Sequence, residues 1–450
     1  MNETICALAT APGGALGIIR ISGAQALEIL SHIFNKNLTS AQANTIHYGH
    51  IKDGEDIVDE VLVSVFRAPH SYTGEDCAEV SCHGSRYILN KVLELLIQHG
   101  CRMALPGEYT QRAYLNGKMD LSQAEAVADL IASTNKATHD MAMSQLRGHF
   151  SSLLTQLREQ LLKLTSLLEL ELDFSDHEDL EFADRTELST IANKINKHIT
   201  QLAHSFEMGN ALKQGIPVAI VGKTNVGKST LLNRLLKDDR AIVSDVHGTT
   251  RDTIEDTIDI KGITFRFIDT AGIRQTTDQV EQIGIERTFQ AIQKARIVLW
   301  LIDQQPSMKE INELSKQTGN KKLITVINKK DKTDNKCYNL LSQPIVAISA
   351  KFGTGIDELE QAIYDAADIP TLSDSDFIVT NARHYDALTR SHDCIQRVID
   401  GLQIQLSGDL LSENLRQALD TLAEITGGQI TPNEVLGNIF KNFCVGKYNH

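Results

Sequence analysis

Residues Gly222 to Ser229 read Gly-Lys-Thr-Asn-Val-Gly-Lys-Ser, the spacing G-x-x-x-x-G-K-[ST]. Glycines at both ends of such a loop let backbone N–H groups close around a chain of phosphates, and the N-terminus of the helix that follows adds favourable potential. Lys228 is then set to reach β and γ oxygens and Ser229 to ligate Mg2+, with Asn225, Val226, Gly227 and Thr230 in the same contact set. Asn328-Lys329-Lys330-Asp331 comes straight after the apolar run LITVI. A carboxylate at Asp331 can accept from both N1–H and the exocyclic amine of guanine. Adenine offers no matching donors on that edge, and a carboxylate left unpaired costs kilocalories, so this one residue separates the bases by orders of magnitude. Ser349-Ala350-Lys351, after a further apolar run, is placed to supply backbone N–H to the guanine carbonyl.

Two more segments complete a triphosphate site. Asp269-Thr270-Ala271-Gly272 ends an apolar run, where Asp269 holds Mg2+ through water and the Gly272 amide meets the γ-phosphate. Ser244, Asp245, Val246, His247, Gly248, Thr249 and Thr250 lie in the loop between the first helix and the next strand. Thr250 is the expected second Mg2+ ligand, ordering that loop only in the GTP state. The residue after Gly272 is Ile273, where small Ras-like GTPases carry the glutamine that orients the attacking water. Either hydrolysis is slow, or another group orients the water.

These residues need a scaffold. From residue 215 to 370, apolar runs (IPVAIV, TFRFID, ARIVLWLID, KLITVI, PIVAISA) alternate with helical stretches, which predicts a mostly parallel sheet with helices on both faces. Residues 1–118 carry β-rich runs (LGIIRIS, IVDEVLVSVF, CAEVSC) broken by the turns APGG, APHSYTGED and LPGEYT, with one helix signal, SRYILNKVLELLIQHG, ending on Gly100. From 119 to 214 apolar residues recur at three- and four-residue spacing, predicting long helices interrupted near Gly148 and opened by a Ser122/Glu125 capping box. The acidic run SDHEDLEFADRTE reads as a solvated loop or helix start. Residues 371–450 are helical again, too few for a core of their own, and are expected to pack on the first helical segment. The fold class is α/β plus all-α: an N-terminal α/β domain, a discontinuous helical domain, and an inserted Ras-like P-loop domain.

Composition bounds the rest. With 42% hydrophobic and 23% charged residues in a chain of 450, the protein reads as soluble and multidomain. A formal charge of −14 argues against indiscriminate coating of nucleic acid, whose affinity is driven by cations. Seven cysteines without framework spacing point to a reducing compartment. Cys77, Cys82 and His83 lie close together but lack the second pair a zinc site requires. The N-terminus has no secretory pattern and no apolar run reaches a membrane span, so a cytoplasmic protein without membrane contact is expected.

The motifs above, together with LGIIRISG, SYTGED and CHG, LPGEYTQRAYLNGKMDLSQAEAVADLI and the terminal FCVGK, resemble the MnmE (TrmE) family of tRNA modification GTPases over essentially the whole chain. The resemblance implies an N-terminal domain similar to the folate-binding domain of the glycine-cleavage T-protein, which dimerises and binds a 5-formyl-tetrahydrofolate-type cofactor. Arg20, Glu79 and Lys118 match its folate positions, with Lys447 reaching in from a tail whose Cys444 belongs to the modification chemistry. It also implies GTPase domains that pair across the nucleotide around K+, held by Asn225, by the carbonyls of Ser244 and Val246, and by Thr249. Such a cation stands in for an arginine finger. Glu281 matches the glutamate that replaces the missing glutamine, ordering the water through a second water, so Glu281 and Lys228 are the catalytic candidates for hydrolysis and Cys444 for modification.

With an FAD-dependent partner of the MnmG (GidA) type, in a heterotetramer, the family installs an aminomethyl or carboxymethylaminomethyl group at C5 of the wobble uridine of certain tRNAs. Three features depart from the family pattern: Thr224 for proline, Ser85 for glycine, and the extra stretch Tyr448, Asn449 and His450. The rival readings are an RNA-binding or ribosome-assembly GTPase switch, for which a basic domain is expected, and a GTP-binding scaffold without turnover.

Overall fold

The computed structural model describes residues 3–11, 13–173, 185–238, 256–268, 289–332, 345–369 and 377–428. The chain divides into two compact units, one formed from the described residues of 1–132, 142–199 and 387–450, the other from those of 133–141 and 200–386.

The first unit begins with a sheet of β1 (Ile5–Leu8), β2 (Leu16–Ser22), β3 (Thr45–Asp53), β4 (Asp56–Phe66), β5 (Cys77–His83) and β6 (Arg102–Met103) in the order β3-β4-β5-β2-β1-β6. All its pairings are antiparallel except β1 with β6. Two helices, α1 (Ala26–Ile33) and α2 (Arg86–Gln98), cover one face. Their Leu27, Leu30, Leu89, Val92 and Leu96 pack with Ile19, Ile21, Val61, Val63, Val65 and Val80 of the sheet. The alternation of β2, β4 and β5 follows from this one-sided burial. On the other face Arg20, Glu79, Ser64 and Ile46 form one rung across four strands, and Ile18, Ser81, Leu62 and Tyr48 the next. A third helix, α3 (Glu108–Leu115), covers that second face only at the β1 end, where Tyr109 packs on Ile5 and Ala7. Ile46, Tyr48 and Leu62 stay exposed.

This domain has more helix than its sequence announced. LPGEYT is not only a turn: Gly107, at φ +73°, hands the chain directly into α3. Arg112 of α3 is 2% exposed and is satisfied by Glu108 at 2.9 Å, Glu75 at 3.0 Å and the Glu3 carbonyl at 2.9 Å. Burial raises the Glu108 carboxyl, but hydrogen bonds from Arg102, the Leu105 amide and Arg112 outweigh it and hold it below the usual range.

The helical part of this unit also differs in detail. Helix α4 (Leu121–Ala132) is opened by Asp120, not by Ser122: Asp120 Oδ1 accepts from the Gln123 amide at 2.9 Å and Gln123 Oε1 accepts from the Asp120 amide at 2.9 Å. Ser122 and Glu125 lie inside the helix and are buried, Ser122 donating to Asp120. The helical run then breaks twice, at Asn135 before α5 (Lys136–Leu146) and at Gly148 (φ +83°) before α6 (His149–Asp173). After α7 (Arg185–Gln214), the chain returns to this unit in the course of a helix at Ala382–Gln403 and continues with one at Gly408–Thr426. The helix 408–426 packs on α4 and α6, as expected for the C-terminal segment.

The second unit holds β7 (Ile216–Val221), α8 (Lys228–Asp238), β8 (Asp256–Ile260), β9 (Ile263–Phe267), β10 (Ile297–Ile302), α9 (Met308–Thr318), β11 (Lys322–Ile327), β12 (Ile345–Ala347) and α10 (Ile356–Ala366). Its sheet runs β12-β11-β10-β7-β9-β8, parallel except at the edge strand β8. Every residue of β10, IVLWLI, is buried, as a central strand covered on both faces requires.

Candidate functional site

The phosphate-loop motif occupies the turn from β7 into α8, which places it at the C-terminal edge of the parallel sheet, where open α/β sheets bind ligands. Three features fit the loop for a polyanion. Gly227 sits at φ +106°, and a Cβ there would strike the side-chain amide of Asn328; at Gly222 a Cβ would strike the Leu301 carbonyl. Asn225 takes the left-handed region at φ +60° and is exposed; its side-chain amide has no partner among the described residues. The ammonium of Lys228 folds onto the carbonyls of Gly222 and Lys223, each at 2.7 Å, and loss of solvent lowers its pKa. Ser229 is half-buried in the first turn of α8 and Thr230 is exposed beside it.

The residues expected to read the base meet this loop through Asn328. Its side chain is 3% exposed, donates to the Val226 carbonyl at 2.8 Å and accepts from the Ala350 amide at 3.0 Å. Lys329, at the end of β11, spans the Asn225 carbonyl at 3.0 Å and Asp303 at 2.7 Å. Asp331 is exposed and accepts from the Ser349 hydroxyl at 2.7 Å, a bond that holds its carboxyl below the usual range. Of the three amides expected near a guanine carbonyl, Ser349 spends its own on Thr354 and Ala350 on Asn328, so the Lys351 amide is the one left to a ligand. Asp303 and Glu310 went unread in the sequence. Asp303 directly follows the buried run of β10, a position that was the available signal. Glu310 closes the capping box of α9 with Ser307 and pairs with Lys223 of the phosphate loop.

In the N-terminal sheet Arg20 and Glu79 lie opposite each other on β2 and β5, and Arg20 Nε donates to Glu79 Oε1 at 2.8 Å. Rings of Tyr72 and Tyr109 flank the guanidinium at 5.5 and 5.6 Å, and the Tyr109 hydroxyl donates to the Arg20 carbonyl at 2.7 Å. Lys118 donates to the Pro69 carbonyl at 2.8 Å, on the segment that carries Tyr72. Arg20, Glu79 and the segment held by Lys118 therefore share one region. Both tyrosines were missed as site residues, although Tyr72 lies inside the SYTGED motif. Residues 244–250, Asp269 to Gly272, Glu281, Cys444 and Lys447 lie outside the described residues.

Among the described residues no helix is long and apolar enough to cross a membrane, and none of the His, Cys, Asp and Glu side chains form a metal-holding group.

Comparison with known proteins adds the ancestry. A family model described as the GTP-binding protein TrmE N-terminus matches residues 4–118, and one described as the MnmE helical domain matches residues 121–444. A protein of Bacteroides thetaiotaomicron named tRNA modification GTPase MnmE is 55% identical over 465 aligned residues, covering 99% of this chain and all of that protein. A protein of the same name from Flavobacterium johnsoniae is 50% identical over 99% of both chains. Among solved structures, the G domain of the T. maritima FeoB iron transporter is similar, at 26% identity over 34% of this chain and 98% of that one, with a TM-score of 0.26. With both family models covering it nearly end to end and full-length relatives at half identity or better, the chain belongs to the MnmE family of tRNA modification GTPases.

Proposed function

We propose that this protein is the GTP-hydrolysing subunit of a tRNA-modifying complex, adding an aminomethyl or carboxymethylaminomethyl group at C5 of the wobble uridine. The observation that carries the GTPase half is Asn328, which joins the phosphate loop at Val226 to the base-reading loop at Ala350. Through that link the loop that would hold the phosphates and the carboxylate that would read guanine are set at a fixed separation. The family relationship supports the uridine half.

In this reading Ser229 and Thr250 hold Mg2+, and Asn225, Ser244, Val246 and Thr249 hold K+. Bound there, the two cations would supply positive charge to the phosphates as negative charge builds in the transition state. Lys228 exchanges its loop carbonyls for β and γ oxygens, the Gly272 amide and Asp269 face the γ end, and Glu281 orients the attacking water. Ser349, Asp331 and the Lys351 amide hold the base. Arg20, Glu79, Lys118 and Lys447 would hold folate, which would supply the one-carbon unit, and Cys444 would take part in the modification chemistry. The division into 1–118, 119–214, 215–370 and 371–450 assigns folate binding and dimerisation, helical scaffold, GTPase and helical tail. The working form is a cytoplasmic homodimer that joins an FAD-dependent MnmG-type partner, with tRNA as substrate. The exposed Ile46, Tyr48 and Leu62 on the open sheet face favour the homodimer.

The test is GTP turnover in KCl and in NaCl at equal ionic strength, with Asn225→Ala beside the wild type. Potassium is expected to accelerate hydrolysis about tenfold or more, a gain of roughly 1.4 kcal/mol in the barrier, and Asn225→Ala to abolish the difference. Equal slow rates in both salts would favour the switch or scaffold reading.

A further inference from the structure

We propose that Asp303 is a positioning residue for potassium: acting through Lys329, it holds Asn225 in the conformation that presents its side-chain oxygen to the cation. The inference rests on the K+ reading above. Strand β10 lies between β7 and β11, the strands that lead into the phosphate loop and into Asn328-Lys329, so the first residue past β10 stands between the two loops. That residue is Asp303, whose Oδ2 accepts from Lys329 Nζ at 2.7 Å. The same ammonium donates to the Asn225 carbonyl at 3.0 Å.

Asn225 needs such support. It sits at φ +60°, in a region that few residues other than glycine and asparagine enter. Its carbonyl is taken by Lys329, and the next one, of Val226, by the Asn328 side-chain amide at 2.8 Å. Two successive peptide planes are thus tied to side chains at the end of β11, which fixes the direction in which the Asn225 side chain leaves the loop. That side chain is exposed and its amide oxygen has no partner among the described residues, so the backbone alone aims it, as a ligand kept ready for a cation would require. A neutral oxygen attracts a monovalent ion weakly, and its contribution depends on being held in place beforehand by the residues behind it. Lys329 cannot do this unaided, because a lysine stem is flexible; the carboxylate of Asp303 pins the ammonium that pins the loop. As a staple for the fold the pair contributes little, with the Lys329 and Asp303 side chains 38% and 29% exposed.

The experiment loads the full-length protein with a fluorescent GDP analogue and aluminium fluoride, which together mimic the phosphoryl group in transfer. KCl then replaces NaCl at constant ionic strength, and the fluorescence change is read in place of turnover. Wild type, Asp303→Asn and Asp303→Ala are compared, each with its melting temperature. The alanine variant is expected to raise the half-effective K+ concentration about tenfold or more, the scale of losing a residue that orients a metal ligand. The asparagine variant, which keeps an acceptor oxygen without the charge, should fall between it and wild type. An alanine variant with the wild-type midpoint overturns the inference. So does one whose nucleotide affinity drops equally in both salts with the midpoint unmoved, which would make Asp303 a general brace of the loop. If the alanine variant melts early, the asparagine variant decides, and an unmoved midpoint there overturns the inference. Wild type that responds equally to both salts overturns the potassium reading itself, and is recognised before any variant is made.

Discussion

In the proposed reading, base selection would rest on an exposed carboxylate, Asp331, whose main support is one neighbour. Asp331 is held below the usual carboxylate range first by the Ser349 hydroxyl, with Lys332 and Lys351 adding smaller electrostatic help. As the anion it would accept from two guanine donors; once protonated, one of its oxygens would become a donor and face the wrong partner. Ser349→Ala removes the main support, so the carboxyl moves up towards its ordinary value of about 3.9. GTP affinity should then fall away at a higher pH than in the wild type as the solution is acidified, while the two proteins converge near neutrality. Fluorescent-nucleotide titrations between about pH 3 and pH 6 check this, and superimposable acid limbs would show that Ser349 does not support the charge on Asp331.

Helix α3 owes its place to ion pairs in a setting where water has been removed. Arg112→Leu would take from Glu108 and Glu75 the buried cation they share, leaving Glu108 to Arg102 and Glu75 to the Ser22 hydroxyl, and breaking a buried pair costs about 3–5 kcal/mol. Chemical denaturation of the variant should show a loss of that order in the first unit. The sign of the pH dependence follows from Glu108, whose folded pKa is depressed. Its contribution is complete above the unfolded value of about 4.3 and disappears as pH falls through the folded one. The wild-type melting temperature should therefore drop below about pH 4, and Arg112→Leu should flatten that drop.

At this scale the sequence was legible wherever local periodicity and burial agree. The strands of the parallel sheet, the phosphate loop and the Gly100 and Gly148 interruptions were read from spacing alone. Helix α3 was hidden because its buried residues include Glu108, Thr110 and Arg112, types that pattern reading assigns to solvent. The Asp120 cap was assigned two residues too late because Ser122 and Glu125 imitate the same spacing. Tyr72 and Tyr109 could not be tied to Arg20 from sequence, since that meeting depends on where a loop and a helix close over the sheet.

For the whole molecule, the exposed rungs of the N-terminal sheet would govern the proposed association. Leu62 and Tyr48 pair across β4 and β3 with their side chains on the open face. Leu62→Glu puts a charge in the middle of that surface and should convert the proposed homodimer to monomer in sedimentation equilibrium, with the melting temperature nearly unchanged because the residue packs no core. A variant that stays dimeric would place the association elsewhere.

The Asn328 side chain also bears on how a spent nucleotide leaves. One amide group holds the phosphate loop by its nitrogen and the base-reading loop by its oxygen. Loosening either loop strains the grip on the other, so the two ends of a guanine nucleotide should not come free in sequence. On the proposed reading, release of GDP should be a single kinetic event, its rate set by how often one buried side chain lets go.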